Sequence, residues 1–341
     1  MAKNKALQLA AKARQDEFYT DIKDIENELA HYNEHFKDKI VLCNCDDPYE
    51  SAFFKYFAMS FNSLGLKKLI TTCYKGSPIA QQFLIFEDDK PQNDRTPYYV
   101  EINELEDYNN DGRKDLKDVE WALLNKHNTR KILQGDGDFR SSECIELLKQ
   151  ADIVVTNPPF SLLREYIAQL FKYDKKFLIL GNKNAVTYKE IFPLFMQNKM
   201  WIGVRNMNQD FWFIVPQDEN YEKIDEMGRK VKHIMACWLT NLEHGRHNEI
   251  MPLYKKYYDD PEQYPKYDNY DAIEVSKTVN IPCDYDGVMG VPITFLDKYN
   301  PKQFEILGLD RYIENNPKPG HRFTLNGKET YARILIRRKG D

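Results

Sequence analysis

Short strand-like runs that alternate with helical patterns constrain the fold of this chain more than any other feature. The runs are Ile40–Cys43, Leu69–Cys73, Asp152–Thr156 and Phe177–Leu180. Because their apolar residues are consecutive rather than alternating, they are typical of strands buried on both faces. Repeated strand–helix units of this kind predict an α/β fold with a doubly wound, mostly parallel sheet.

Helix caps and further β-rich runs predict the remaining elements. Asp47 is predicted to cap the helix that contains Phe53 to Leu64, with Pro48 at its first position and Glu50 completing a capping box. Gly65 is predicted to end this helix. Further helices are expected near 142–150, from Leu162 to Phe171 and at 188–197, and further strands at Tyr99–Ile102, Lys131–Leu133, Trp201–Val204, Phe211–Val215 and His233–Thr240. Since no helix separates the last three strands, the sheet is expected to end in an antiparallel element.

Composition changes along the chain and predicts its division into domains. The strand–helix pattern begins near residue 36 and continues to about 245. Beyond that point tyrosine and proline become frequent, helical periodicity fades and short β-rich runs dominate. We therefore predict a main domain at 36–245 and a smaller domain at 246–341, preceded by a segment at 1–35.

The overall composition excludes several classes of protein. The 341 residues are 42% hydrophobic and 30% charged, which is typical of a globular chain. No stretch approaches the roughly 20 apolar residues of a membrane helix. The six cysteines form no CxxC pair, so we expect a reduced cytoplasmic protein that binds no membrane and no structural metal.

Charge argues only weakly about partners. The net charge is −5, which disfavours a non-specific polyanion binder. From Lys318 to Asp341, however, the sequence contains seven basic residues and only two acidic ones. This stretch is either a solvated basic tail or part of a binding face.

The motif Asn157-Pro158-Pro159-Phe160 carries the clearest chemistry, since it follows a buried strand. Ligands of open α/β sheets bind at this edge. The Asn157 side-chain oxygen and the Pro158 carbonyl can accept the two hydrogens of an exocyclic amine, which exposes the nitrogen lone pair to a methyl donor. The two prolines fix the backbone without adding an N–H group. Phe160 offers a flat apolar face on which a base can stack.

Longer stretches identify the family that the chain resembles. They are Asp16–Thr20, 41–48, 66–74, 135–141, 152–160, 238–242, 264–275 and 284–308. Through them the chain resembles the adenine-specific DNA methyltransferases of the EcoRI modification family, which use S-adenosylmethionine. The resemblance extends from about residue 16 over nearly the whole chain, and the C-terminal match is more specific than the four-residue motif.

This resemblance implies a Rossmann-like methyltransferase sheet that binds the cofactor on one half and a flipped adenine on the other. Residues 36–245 would form the catalytic domain and residues 246–341 the target-recognition region that binds DNA. The motif residues Asn157, Pro158, Pro159 and Phe160 would be the catalytic set.

The cofactor contacts are also carried over by motif. Phe18, Tyr19 and Thr20 resemble the N-terminal segment, here 1–35, that closes over the methionine end of the cofactor. The residues that follow the first strand would cradle the same end; they are Asn44, Cys45 and Asp46.

A second stretch would bind the cofactor adenine. Asp138 and Phe139 resemble the pair that hydrogen-bonds to the adenine and stacks on it, and Asp136 is an equally placed alternative for the acid. The chain departs from the broader methyltransferase pattern in two places. The first loop has no G-x-G, and the second strand ends in Thr72-Cys73-Tyr74 without the acid that usually binds the ribose.

The resulting prediction is direct methyl transfer from S-adenosylmethionine to adenine N6 in duplex DNA. The enzyme would be a cytoplasmic monomer of a bacterium or phage, used at the nucleoid, and a cognate restriction endonuclease for the same site is a further candidate partner. The alternatives left open are methylation of another planar amine (cytosine N4, an RNA base or a protein glutamine) and a catalytically silent DNA-binding module of the same fold.

Overall fold

The computed structural model describes residues 20–45, 51–73, 97–108, 118, 121, 129–215, 221–314, 316 and 319–340. The chain divides into two compact units. The first unit contains Met1–Asn182 and Asp210–Leu242, and the second contains Lys183–Gln209 and Glu243–Asp341. Within the described ranges, no helix is long and apolar enough to cross a membrane.

The bounds of the α-helices and strands are as follows. The helices are α1 (Ile22–Leu29), α2 (Asn33–Phe36), α3 (Ala52–Met59), α4 (Ser142–Gln150), α5 (Leu163–Lys172) and α6 (Phe192–Met196). The strands are β1 (Ile40–Cys43), β2 (Lys68–Cys73), β3 (Tyr98–Ile102), β4 (Thr129–Ile132), β5 (Ile153–Thr156), β6 (Lys176–Asn182), β7 (Trp201–Ile202), β8 (Phe211–Ile214), β9 (Lys223–Ile224), β10 (Lys230–Ile234), β11 (Ala236–Thr240), β12 (Ile273–Glu274), β13 (Met289–Pro292), β14 (Phe304–Leu309), β15 (Thr324–Leu325), β16 (Lys328–Glu329) and β17 (Arg333–Arg338).

The first unit is built on a mixed sheet with a parallel centre. Its strands lie in the order β4-β3-β2-β1-β5-β6-β11. The pairs β2–β1, β1–β5 and β5–β6 are parallel, whereas β4–β3, β3–β2 and β6–β11 are antiparallel. The predictions of an α/β fold with a mostly parallel central sheet, and of an antiparallel closing element, are therefore confirmed.

Three local predictions from the sequence are wrong. Helix α3 begins at Ala52 because the Ser51 hydroxyl accepts hydrogen bonds from Phe53 N (3.1 Å) and Phe54 N (3.4 Å), so Ser51 is the cap. Asp47, Pro48 and Glu50 lie outside the described residues. The same helix ends at Met59 and not at Gly65; turns continue from it to Gly65, which has a φ of 62°. The helix predicted at 188–197 is shortened to α6, which has a proline in its first turn.

The third correction concerns the apolar run His233–Thr240, which is two strands rather than one. Strand β10 pairs with β8 and β9 in a separate three-stranded sheet, whereas β11 pairs with β6. The half-exposed Met235 separates them. A continuous apolar run does not show where a chain changes its pairing partner, so the break is invisible in the sequence.

The second unit contains its own four-stranded sheet in the order β12-β13-β17-β14, together with the hairpin β15–β16. Its buried residues include Phe295, Phe304 and Leu335. This unit has short 3₁₀ turns, such as Ile293–Lys298, in place of long helices.

Candidate active site

The chain order of the central strands creates a switch point between β1 and β5. From β1 the chain moves to β2 on one side, and from β5 it moves to β6 on the other side. Ligands in open α/β sheets bind at the carboxyl ends of the strands at such a point. Asn44 follows β1 and Asn157 follows β5, so both lie at this edge. The Thr156 hydroxyl donates a hydrogen bond to the Asn44 carbonyl and ties the two loops together.

The predicted catalytic motif forms the link from β5 to α5. Pro158 is buried, and Asn157, Pro159 and Phe160 are half-buried. The Pro159 carbonyl accepts a hydrogen bond from Leu162 N (2.9 Å), which closes a 3₁₀ turn before α5. In contrast, none of the described residues donates a hydrogen bond to the Pro158 carbonyl. The motif therefore holds an acceptor carbonyl in a rigid turn at the sheet edge.

Tyr166 on α5 connects the motif helix to the loop after β1. The side chain is 1% exposed, and its hydroxyl donates a hydrogen bond to Asn44 Oδ1. Its ring also packs edge-on against Phe139, with 5.0 Å between ring centroids. Gln169, one turn further along, donates from Nε2 to the Phe139 carbonyl (2.9 Å). Helix α5 thus fixes two of the predicted cofactor-binding residues.

The predicted acids of the 135–141 loop differ in their surroundings. Asp138 accepts hydrogen bonds from Arg140 N (2.8 Å), Nε (2.8 Å) and Nη2 (2.7 Å). Burial acts to raise the pKa of Asp138, but these bonds outweigh it and hold the pKa below its ordinary value. Arg140 also donates to Glu165 on α5 (2.8 Å). Asp136 is exposed, and its Oδ1 accepts a hydrogen bond from Asp138 N (3.0 Å).

The structure describes part of the predicted cofactor cradle. Phe18, Tyr19 and Asp46 lie outside the described residues. Cys45 is half-buried and has a φ of 71°, so the chain turns sharply after β1. Thr20 is 5% exposed, and its hydroxyl has no hydrogen-bond partner among the residues that the structure describes.

An ion network anchors Asp21, which lies within the N-terminal segment 1–35. Asp21 caps α1 by accepting a hydrogen bond from Lys23 N (2.9 Å), and its other oxygen binds Arg229. Arg229 also pairs with Asp225 (2.7 Å) in the turn between β9 and β10. The network therefore holds the residue next to Thr20 against a hairpin of the same unit.

Sequence reasoning missed three residues of the site: Tyr166, Gln169 and Arg140. Tyr166 stands among the apolar residues of its helix and resembles an ordinary core tyrosine. The available signal was its hydroxyl, because a fully buried tyrosine needs a hydrogen-bond partner. Its position on the helix that follows the motif places that partner near the sheet edge.

The fold and this edge define a methyltransferase-like α/β enzyme, and comparison with known proteins gives the family. The family model described as "Adenine-specific methyltransferase EcoRI" matches residues 6–339. The chain therefore belongs to this family, as predicted.

Curated relatives agree over their whole lengths. The chain is 48% identical to the type II methyltransferase M.EcoRI of Escherichia coli, over 99% of this chain and 98% of that protein. It is 37% identical to the type II methyltransferase M.MpnI of Mycoplasma pneumoniae (97% of each chain), and 36% identical to M.MgeORF184P of Mycoplasma genitalium (97% of this chain and 98% of that protein). No solved structure shows significant similarity to the chain. The predicted enzyme class, a site-specific adenine DNA methyltransferase, is confirmed.

Proposed function

We propose that this chain transfers the methyl group of S-adenosylmethionine directly to N6 of an adenine that is flipped out of duplex DNA. The observation that carries the proposal is the position of Asn157 and Pro158 at the carboxyl edge of the sheet, joined to Asn44 through Thr156. A base inside a duplex cannot reach such an edge, so it must leave the stack at a cost of a few kcal/mol.

The described residues fit S-adenosylmethionine as the cofactor. The buried Thr20 hydroxyl without a protein partner among them suits a polar ligand, because an unpaired buried hydroxyl is costly. Asn44 and Cys45 would hold the methionine end together with Thr20, Phe18, Tyr19 and Asp46. When bound, the cofactor supplies a methyl group on a positively charged sulfur.

The adenine end of the cofactor would lie at the 135–141 loop. Asp136 or Asp138 would accept a hydrogen bond from the cofactor adenine. Phe139 is 4% exposed, packs against Tyr166 and has the Arg140 guanidinium 5.2 Å from its ring centroid, so the cofactor adenine would meet the ring at its edge and would not stack on its full face. Of the two acids, Asp136 is the more open, because Asp138 already binds Arg140 through both oxygens.

The protein's part in catalysis is to polarise and position the target amine. The Asn157 side-chain oxygen and the Pro158 carbonyl accept its two hydrogens, which moves electron density onto the nitrogen and directs the lone pair at the methyl group. Pro159 keeps the turn rigid, and Phe160 stacks on the flipped base. Because the donor is already activated, positioning and charge stabilisation supply most of the rate.

The remaining assignments are proposed by analogy with the family. The segment 1–35 would close over the cofactor, the domain 36–245 would perform the reaction, and residues 246–341 would recognise the DNA site. The enzyme would act as a cytoplasmic monomer on the host DNA and protect sites that a cognate endonuclease cuts.

A direct assay tests this proposal. Purified protein is incubated with methyl-labelled S-adenosylmethionine and mixed-sequence duplex DNA, and the nucleosides are then separated by chromatography. We expect the label in N6-methyldeoxyadenosine. Label in N4-methyldeoxycytidine, in RNA or in protein would replace adenine with another planar amine as the substrate.

A further inference from the structure

The second unit carries cations and tyrosines on segments whose backbones are joined by hydrogen bonds. These residues belong to the loop that follows β14, to the hairpin β15–β16 and to the strand connection after it. We call the following six residues the basic surface: Arg311, Tyr312, His321, Arg322, Lys328 and Tyr331.

Hydrogen bonds bring described residues of the loop part of the basic surface together. Gly320 N donates a hydrogen bond to the Arg311 carbonyl (3.0 Å), so the two ends of the loop meet. The buried Asn316 donates from Nδ2 to the Asp310 carbonyl (2.7 Å) and to the His321 carbonyl (3.0 Å). The backbones of Arg311 and His321 therefore lie close together.

The hairpin part is equally well anchored. Asn326 and Gly327 form its turn with φ values of 51° and 74°. The Asp268 carboxylate accepts hydrogen bonds from Gly327 N (2.8 Å) and Asn326 N (3.2 Å), and these bonds hold the pKa of Asp268 below its ordinary value. Asn269 binds the chain where it enters the hairpin, since its Oδ1 accepts from Thr324 N (3.0 Å) and its Nδ2 donates to the Arg322 carbonyl (3.3 Å).

The charges of this surface are available to a partner. Within the described ranges, no carboxylate lies within ion-pair distance of Arg311, Arg322 or Lys328. The buried Asp310 carboxylate interacts electrostatically with Arg311 and Arg322, and His321 lies 3.4 Å from Glu329. Tyr331 is 82% exposed and Tyr312 is 48% exposed, so neither ring serves the core. Arg311 and Lys328 are exposed and Arg322 is half-buried. Cations beside exposed tyrosines suit a polyanion, since both side-chain types bind phosphate oxygens.

We propose that the basic surface binds the phosphate backbone of the duplex DNA substrate. This inference rests on the proposed function and assigns part of the DNA contact to named residues. Arg311, Arg322 and Lys328 would each neutralise a phosphate and release counterions, while Tyr312 and Tyr331 would pack against the sugar–phosphate chain. Such contacts position the duplex and carry no sequence information.

The test measures duplex binding by fluorescence anisotropy at several salt concentrations. The variant Arg311→Gln/Arg322→Gln/Lys328→Gln should lower the slope of log K against log salt by about two to three, because each phosphate contact contributes about 0.9. Its affinity should fall at least tenfold for cognate and non-cognate duplexes alike. Tyr331→Ala should weaken binding several-fold without changing the slope.

Two matched variants complete the design. Lys37→Gln/Lys39→Gln/Lys176→Gln removes the same charge from exposed positions at the amino edge of the first unit's sheet and should leave the slope unchanged. Arg311→Lys/Arg322→Lys keeps the charge and should retain the wild-type slope, even if a glutamine variant folds poorly.

The outcomes separate this inference from the proposed function. The proposal that the basic surface binds DNA would be overturned by a wild-type slope and affinity in the triple glutamine variant. Equal losses of slope and affinity in the amino-edge control would also overturn it. A wild-type protein that binds S-adenosylmethionine but no duplex would instead overturn the DNA substrate itself. Loss for cognate duplex alone would make these residues base readers and contradict the phosphate assignment.

Discussion

Two buried hydrogen-bond networks, one in each unit, show the difference between a site and a structural support. In the first unit, Tyr166 donates to the neutral Asn44 side chain at the carboxyl edge of the sheet. In the second, Tyr267 donates to Glu274, which is also bound by Arg333 through Nε (2.9 Å) and Nη2 (2.6 Å). Both tyrosines are buried.

The two networks differ in whether their polar groups lie where a ligand can bind. Glu274 on β12 and Arg333 on β17 neutralise each other, so both charges are already paired within the protein. Asn44 instead ends β1 at the switch point, next to the motif that carries Asn157. Burial of a polar group therefore does not by itself identify a site. Its position on the sheet does.

The largest effect is expected at the catalytic motif. Asn157→Ala should lower turnover by about a thousandfold, because it removes one acceptor of the amine hydrogens in the transition state. Binding of S-adenosylmethionine should remain close to wild type. Turnover and equilibrium dialysis with labelled cofactor measure the two quantities.

The control for this variant is Asn62→Ala, which removes a surface asparagine whose Nδ2 binds the Leu105 carbonyl (2.8 Å). It should keep full turnover. Normal turnover in the Asn157 variant would exclude the motif from the reaction.

The next effect concerns stability in the second unit. Glu274→Gln should lower the free energy of unfolding by about 3 kcal/mol, because it leaves the buried Arg333 without its counter-charge. Glu146→Gln breaks an exposed pair with Lys149 (2.6 Å) and should cost much less stability, because solvent screens exposed charges. Urea denaturation compares them, and equal losses would show that the Glu274 network adds nothing beyond a surface pair.

A pH-dependent effect is expected at Asp297. Burial raises the pKa of this carboxyl to about 6, although hydrogen bonds from Met207 N (3.0 Å) oppose the rise. Between about pH 4 and 6 the folded state therefore binds more protons than the unfolded state, and the contribution of Asp297 to stability falls as pH rises.

The variant Asp297→Asn isolates this contribution. The stability of the wild type relative to the variant should fall by about 2 kcal/mol from pH 4 to pH 7. Denaturation curves at four or more pH values give the difference. A difference that is constant over this interval would show that Asp297 has an ordinary pKa.

Sequence patterns within a few residues predicted those features of the fold that are determined by residues close together in the chain. The parallel strands and the position of Asn157–Phe160 came from consecutive apolar residues and from a Pro-Pro turn after a strand. Strands β3 and β4 were predicted individually, but the antiparallel pairing of β3 with β2 and of β4 with β3 depends on contacts between distant parts of the chain.

The contacts of the site were less accessible to sequence reasoning. The pairs Tyr166–Asn44 and Asp21–Arg229 join residues 122 and 208 positions apart. Neither pattern differs locally from a core tyrosine or a surface arginine. Whether these pairs form depends on strand register and on the directions of the side chains, which are fixed only in the folded protein.

The most direct test of the central comparison replaces each buried tyrosine in turn. Tyr166→Phe and Tyr267→Phe both remove one hydroxyl and should each cost about 1–2 kcal/mol of stability. Only Tyr166→Phe should weaken S-adenosylmethionine binding, by about tenfold, because only its hydroxyl orients a residue of the cofactor site. Equal dissociation constants for the two variants would contradict the assignment of the Asn44 edge as the active site.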